Sequence, residues 1–77
     1  MEITIVAFGQ LAEITGKQSW KLQGIPDITA LKQILETNFP AIKNINYQVA
    51  IDKKITKENA VLADQSTVAL LPPFSGG

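Results

Sequence analysis

Two glycines, Gly76 and Gly77, close the 77-residue sequence behind Pro72, Pro73, Phe74 and Ser75. Neither glycine has a side chain that can react. What such an end offers is the α-carboxylate of Gly77, carried on the slimmest peptide there is. Without a Cβ, that peptide can pass through a channel little wider than a backbone. Gly77 is therefore the candidate reacting residue, and Gly76 the one that gives clearance. A glycine pair alone is a weak signal, because chain ends commonly fray. The residues before it strengthen the reading. Val68-Ala69-Leu70-Leu71 is an apolar run that reads as a final strand. Pro72 and Pro73 each fix φ and lack an N–H, so a sheet ladder cannot continue through them. A proline also pushes the residue before it toward extended geometry, so Leu71 and Pro72 are expected to leave the fold in a straight line. The chain thus divides into a folded body, residues 1–71, and a protruding tail, residues 72–77.

Little else in the chain is reactive. There is no cysteine, which excludes disulfides, zinc ribbons, thiol catalysis and cluster ligation by thiolates. There is no histidine, the usual general base at neutral pH and the commonest metal ligand. Asp52, Glu58 and Asp64 fall at turns or caps and show no paired-carboxylate pattern. A free-standing enzyme is disfavoured, and no metal or cofactor is expected on this chain. The seven basic and seven acidic residues give a formal net charge of zero. Lys53-Lys54 with Lys57 is the densest basic group and reads as a solvated turn, so no nucleic-acid partner is expected. No basic-then-apolar leader and no bilayer-length apolar run is present, so a soluble, cytoplasmic protein is expected.

The elements that must position the tail come from periodicity. Met1 to Phe8 alternates, with Ile3, Ile5 and Ala7 on one face and Thr4, Val6 and Phe8 on the other. Gly9 breaks this strand. Gln10 to Thr15 reads as a short helical turn or a loop ended by Gly16. Ser19 to Gln23 reads as a second strand, antiparallel to the first. Asp27 is an N-cap candidate, and Ile28, Leu31, Leu35 and Phe39 then form one helical stripe. Pro40 stops the helix near Asn38. Residues 41–46 read as a connecting loop. Tyr47 to Ile51 alternates as a third strand, and a short strand is expected around Ile55. Residues 56–64 read as irregular, with Val61 and Leu62 tucked against the core. Asp64-Gln65-Ser66 turns into the final strand, Thr67 to Leu71. A hairpin, one crossover helix and further strands define an α+β fold with the helix across one face of the sheet.

One anomaly in this pattern bears on function. With the helix on the Ile3-Ile5-Ala7 face, the opposite face should be polar. Instead it shows Val6 and Phe8, joined by Ala69 and Leu71 or by Leu70 if the first and last strands are neighbours. A contiguous apolar patch beside the tail's exit reads as a partner site.

Three segments then bear on family. They are Phe8-Gly9-Gln10-Leu11-Ala12-Glu13-Ile14-Thr15-Gly16, Asp27-Ile28-Thr29-Ala30-Leu31, and residues 68–77 with their Pro-Pro, two residues and Gly-Gly. In these, and in length and element order, the chain resembles the sulfur-carrier small subunits of molybdopterin synthase, members of the ubiquitin-like β-grasp group. The resemblance implies a mixed sheet of four to five strands, one main helix and an extended C-terminal tail. It also implies a cycle. An E1-like adenylyltransferase uses ATP to activate the Gly77 carboxylate, and a sulfur donor converts it to a thiocarboxylate. The carrier then docks on the large synthase subunit and gives its sulfur to a pterin precursor. The family's hydrophobic contacts fall on Phe8, Ile55 and Leu71, and the inserted tail adds Pro72, Pro73, Phe74 and Ser75. No cofactor is bound by the carrier itself.

Two details depart from the family pattern. Asp64-Gln65 stands where Asp-Gly is common, and Phe74 stands where a smaller apolar residue is common. The alternatives are a carrier for thiamine or tRNA thiolation, a ubiquitin-like protein modifier, or a non-catalytic β-grasp interaction module with an idle tail.

Overall fold

The structure is a computed structural model that describes residues 1–56 and 58–73. Five strands form one sheet: β1 (Glu2–Ala7), β2 (Ser19–Gln23), β3 (Gln48–Ile51), β4 (Lys54–Thr56) and β5 (Thr67–Leu71). Their spatial order is β2-β1-β5-β3-β4. The central β1–β5 pair is parallel, and the three other pairs are antiparallel. The chain must therefore cross between the first and last strands, as expected from the placing of the helix. Two helices, α1 (Gln10–Thr15) and α2 (Ile28–Asn38), and a 3-10 helix (Pro40–Asn44) complete the body.

The alternation in β1 does what its sequence pattern requires. Ile3, Ile5 and Ala7 are buried beneath α2, which contributes Ile28, Leu31 and Leu35 to the same core. α2 begins where Asp27 can cap it, and its three leading amides all find acceptors. Ala30 N–H donates to Asp27 Oδ1 at 2.9 Å, Ile28 N–H to the Ala60 carbonyl at 3.0 Å, and Thr29 N–H to Asn59 Oδ1 at 2.9 Å. The segment around Asn59 and Ala60 is thus a second cap supplied from 30 residues downstream in sequence. Phe39 closes the helix, with its N–H donating to the Leu35 carbonyl, and packs edge-on to Trp20.

Two expectations are corrected. Residues 41–46 are not a plain loop, because a 3-10 helix over Pro40–Asn44 drives Ile42 fully into the core. Val61 is not tucked in: it is 84% exposed, while Leu62 is buried. An isolated antiparallel bridge between Asp27 and Val61, with Leu62 N–H on the Pro26 carbonyl, holds this stretch extended. Neighbouring residues in extended chain point opposite ways, so only one of the two can face the core.

Two turns carry left-handed backbone. Asp52 (φ 47°) and Lys53 (φ 77°) form the two-residue link between β3 and β4, as a tight hairpin requires. Gln65 has φ 67° in the turn before β5. Its N–H donates to the Glu2 carbonyl, and Asp64 Oδ1 accepts from Glu2 N–H, which holds the Asp64 carboxyl below its ordinary range. A side chain in left-handed geometry is strained, whereas glycine is not. Gln65→Gly should therefore raise stability by about 0.5–1 kcal/mol, after the extra unfolded-state entropy of glycine is subtracted. Urea unfolding of the two proteins measures the difference.

Tyr47, before β3, gives a pH signature. Burial first, and then the neighbouring Glu36 carboxylate that accepts its hydroxyl hydrogen bond at 3.4 Å, push its pKa up to about 12. The fold therefore favours the neutral phenol. That stability is fully present below the ordinary tyrosine pKa near 10 and is lost as pH rises through about 12. The expected loss is on the order of 1–2 kcal/mol, allowing for the ring's partial exposure. Unfolding measured against alkaline pH should show this loss, and Tyr47→Phe should remove it.

Candidate functional site

β5 ends at Leu71, next to the expected start of the tail. Leu71 pairs with Gln48, and Leu70 with both Ala7 and Val49. The ladder runs one step beyond β1, because Phe8 N–H donates to the Leu70 carbonyl at 3.1 Å. Phe8 thus sits beside Leu71. Beyond it, Pro72 is buried rather than leaving freely, and Pro73 is exposed. Pro72 packs on Gly9, where an added Cβ would lie 2.9 Å from Pro72 Cγ. Phe74, Ser75, Gly76 and Gly77 lie outside the described residues, as does Lys57.

The patch foreseen from alternation is present and extends further. Paired residues on neighbouring strands share a face. The pairs Val6–Ala69, Ala69–Ala50 and Ala50–Ile55 therefore make one apolar row across β1, β5, β3 and β4. Phe8 (47% exposed) and Ile55 (50% exposed) are its most accessible large side chains. Leu71 and Val6 are half-buried between them. Leu70, the alternative neighbour, is fully buried on the opposite, core face. Hollows lie on both sides of Phe8. One of about 340 Å³ is lined by Val6, Phe8, Asp52, Lys53, Thr67 and Ala69. The other, of about 440 Å³, is lined by Val6, Ala7, Phe8, Gly9, Ala12, Gln18 and Ser19. Each row residue is uncharged, and Asp52 and Lys53 stand at the rim. An apolar centre with a charged edge suits a protein partner better than a small polar ligand.

The site residues thus separate into two groups: Phe8, Ile55 and Leu71 share one face, with Phe8 and Leu71 beside Pro72 and Ile55 two strands away from β5 on β4, whereas Phe74 to Gly77 fall outside the described residues. Ala50 was not singled out by its sequence, because a lone alanine in a short strand has no pattern of its own until its neighbours are known. Gly9 read as a strand breaker only, although an isolated glycine next to a strand is also a signal of close backbone approach. Among the described residues, no group of three or more acidic, histidine or cysteine side chains could hold a metal ion. No helix there is long and apolar enough to cross a membrane.

A mixed five-stranded sheet around one main helix, with parallel central strands formed by the two ends of the body, is the architecture of the ubiquitin-like β-grasp proteins. Residues 5–77 match the ThiS family, and the chain belongs to that family. The molybdopterin synthase sulfur carrier subunit of Arabidopsis thaliana is 27% identical over 81 aligned positions, spanning 100% of this chain and 84% of the plant protein. Three solved structures share the fold. A Pyrococcus furiosus protein assigned as subunit 1 of molybdopterin converting factor superposes with a TM-score of 0.85 at 12% identity, covering 95% of this chain and 98% of that one. The small archaeal modifier protein SAMP1 of Methanosarcina acetivorans gives 0.80 at 21% identity, covering 99% and 96%. A chain from the complex of subunits 1 and 2 of molybdopterin-converting factor of Helicobacter pylori gives 0.74 at 22% identity, covering 100% of both.

Proposed function

We propose that this chain is the sulfur carrier of molybdenum cofactor biosynthesis and works through the carboxylate of Gly77. The observation that carries the reading is the family match that runs through Gly77 and takes in the whole tail. The likeness to the plant sulfur carrier subunit favours the molybdopterin client. In the cycle, a Gly77 oxygen attacks the α-phosphorus of ATP on an E1-like adenylyltransferase and pyrophosphate leaves. A sulfide equivalent then attacks the acyl carbon and displaces AMP, because adenylate is a good leaving group where oxide is not. The thiocarboxylate sulfur attacks a carbon of the pterin precursor and displaces an oxygen substituent from it. Water then cleaves the acyl–sulfur bond, restoring the carboxylate and leaving the sulfur on the pterin, and two such transfers give the dithiolene. Cytoplasmic partners supply every catalytic side chain and, by enclosing the activated end, exclude water from it. The carrier binds no cofactor.

The large synthase subunit would dock on the face of Phe8, Ile55 and Leu71. The related Helicobacter pylori structure, a complex of subunits 1 and 2, supports a partner of this kind. Pro72 to Ser75 would line the partner's entry and deliver Gly76 and Gly77. The five residues beyond the buried Pro72 would reach at most about 17 Å if extended, enough to enter a neighbour's active site. The likeness to small archaeal modifiers favours a second reading, attachment of Gly77 to lysines of other proteins. Incubating the thiocarboxylated chain with the large subunit and the cyclic pterin precursor separates the two. The carrier reading expects a dithiolene product and the return of the carrier to its carboxylate mass. Isopeptide-linked conjugates in place of pterin product would favour the modifier.

A further inference from the structure

The structure assigns Gly9 a positioning role: it is the seat that sets the direction in which the tail leaves the body. Gly9 has φ 55° and ψ −128°, a conformation that side chains rarely adopt. It also leaves room for Pro72, whose Cγ would stand 2.9 Å from any Cβ added there, closer than real Cβ contacts allow. Pro72 fills that space and is buried, although it lies past the last ladder pair. Its fixed φ lets little of this seating be absorbed by rotation of the chain. The two residues belong to opposite ends of the sequence, joined through the parallel pairing of β1 and β5 and the Phe8–Leu70 hydrogen bond. Gly9 also follows Phe8, so the docking face and the tail's root share one rigid corner. A partner that grips Phe8 thereby receives Pro72, the root of the tail, at a set position.

This inference rests on the proposed carrier function, and the test distinguishes the two. Adenylation and thiocarboxylation of wild type, Gly9→Ala, Pro72→Ala and Gly9→Ala/Pro72→Ala are followed by mass against carrier concentration, with ATP, the activating enzyme and sulfide. Misplacement of a reacting group by about 1 Å can cost up to 100-fold in rate. Gly9→Ala is expected to lower kcat about tenfold or more, with KM changed less than about threefold. Alanine at position 72 has no Cγ, so the double variant should recover to within about threefold of Pro72→Ala alone, although it keeps the backbone strain of Gly9→Ala. A Gly9→Ala kcat within twofold of wild type would overturn the assignment. So would a double variant well below Pro72→Ala alone, by more than about threefold, since the loss would then come from the strained loop and not from the seat. Wild type that acquires no sulfur would instead refute the carrier function itself.

Discussion

Deleting Gly77 is expected to cost sulfur acquisition at least about 100-fold and to leave the body folded. The two halves of this expectation have separate physical grounds. The described core, from Ile3 and Ile5 through Leu31 and Leu35 to Val68 and Leu70, closes before the tail begins. Gly77 has no side chain, so its removal takes no apolar group from the protein. The melting transition should therefore stay within experimental error of the full chain. The chemistry should fail for reasons of reach. Without Gly77 the new terminal carboxylate is that of Gly76, one residue or about 3.5 Å short of where the activating enzyme holds its reacting atoms. A displacement of that size exceeds anything a near-attack geometry tolerates. The expected loss is at least 100-fold in thiocarboxylate formation, measured by intact mass. An interaction module with an idle tail would show no such loss in partner binding, which a titration calorimetry run on the same variant reports.

A carboxylate placed on the open face should be the second severe lesion. Phe8→Asp is expected to weaken binding to the large synthase subunit by about 100-fold or more. Phe8 is about half exposed and flanked by hollows, the arrangement of an anchor waiting for a pocket. Aspartate loses the apolar area and also leaves a charge to be desolvated in an apolar contact, which is the costlier of the two effects. The fold should lose only about 1 kcal/mol or less, since the hydrogen bond at position 8 is made by the backbone and the ring is not in the core. Ile55→Asp, at the far end of the same row, should have a smaller effect in the same direction. Surface plasmon resonance of the three proteins, with circular dichroism as the control for folding, measures the ratio. Equal affinities would move the interface off this face.

The parts of this molecule that could be read in advance are those set by short-range physics. Alternation in residues 1–8 placed Ile3, Ile5 and Ala7 inward because a strand has no other period. The bounds of α2 followed from an acid that can cap and a proline that cannot follow, and Asp27 and Pro40 stand at the expected ends. The open-face patch followed from the same alternation, once a helix was assigned to one side. What could not be read depends on distant partners. Pro40–Asn44 winds into a 3-10 helix because Ile42 has a cavity to fill, and the stretch alone does not show that cavity. Val61 and Leu62 are equally apolar, and only the bridge to Asp27 decides which of them turns inward. The contact between Gly9 and Pro72 joins residues 63 positions apart, so it appears only when β1 and β5 are paired.

The central claim is that the body is a handle and Gly77 the working group. Its most direct test is fragment-resolved mass spectrometry of the chain after incubation with ATP, a cognate activating enzyme and sulfide. The account predicts one oxygen replaced by sulfur, on the fragment that ends at Gly77 and on no other. An unchanged mass, with an enzyme that sulfurates its own known carrier in the same reaction, would contradict it, as would sulfur found anywhere else along the chain.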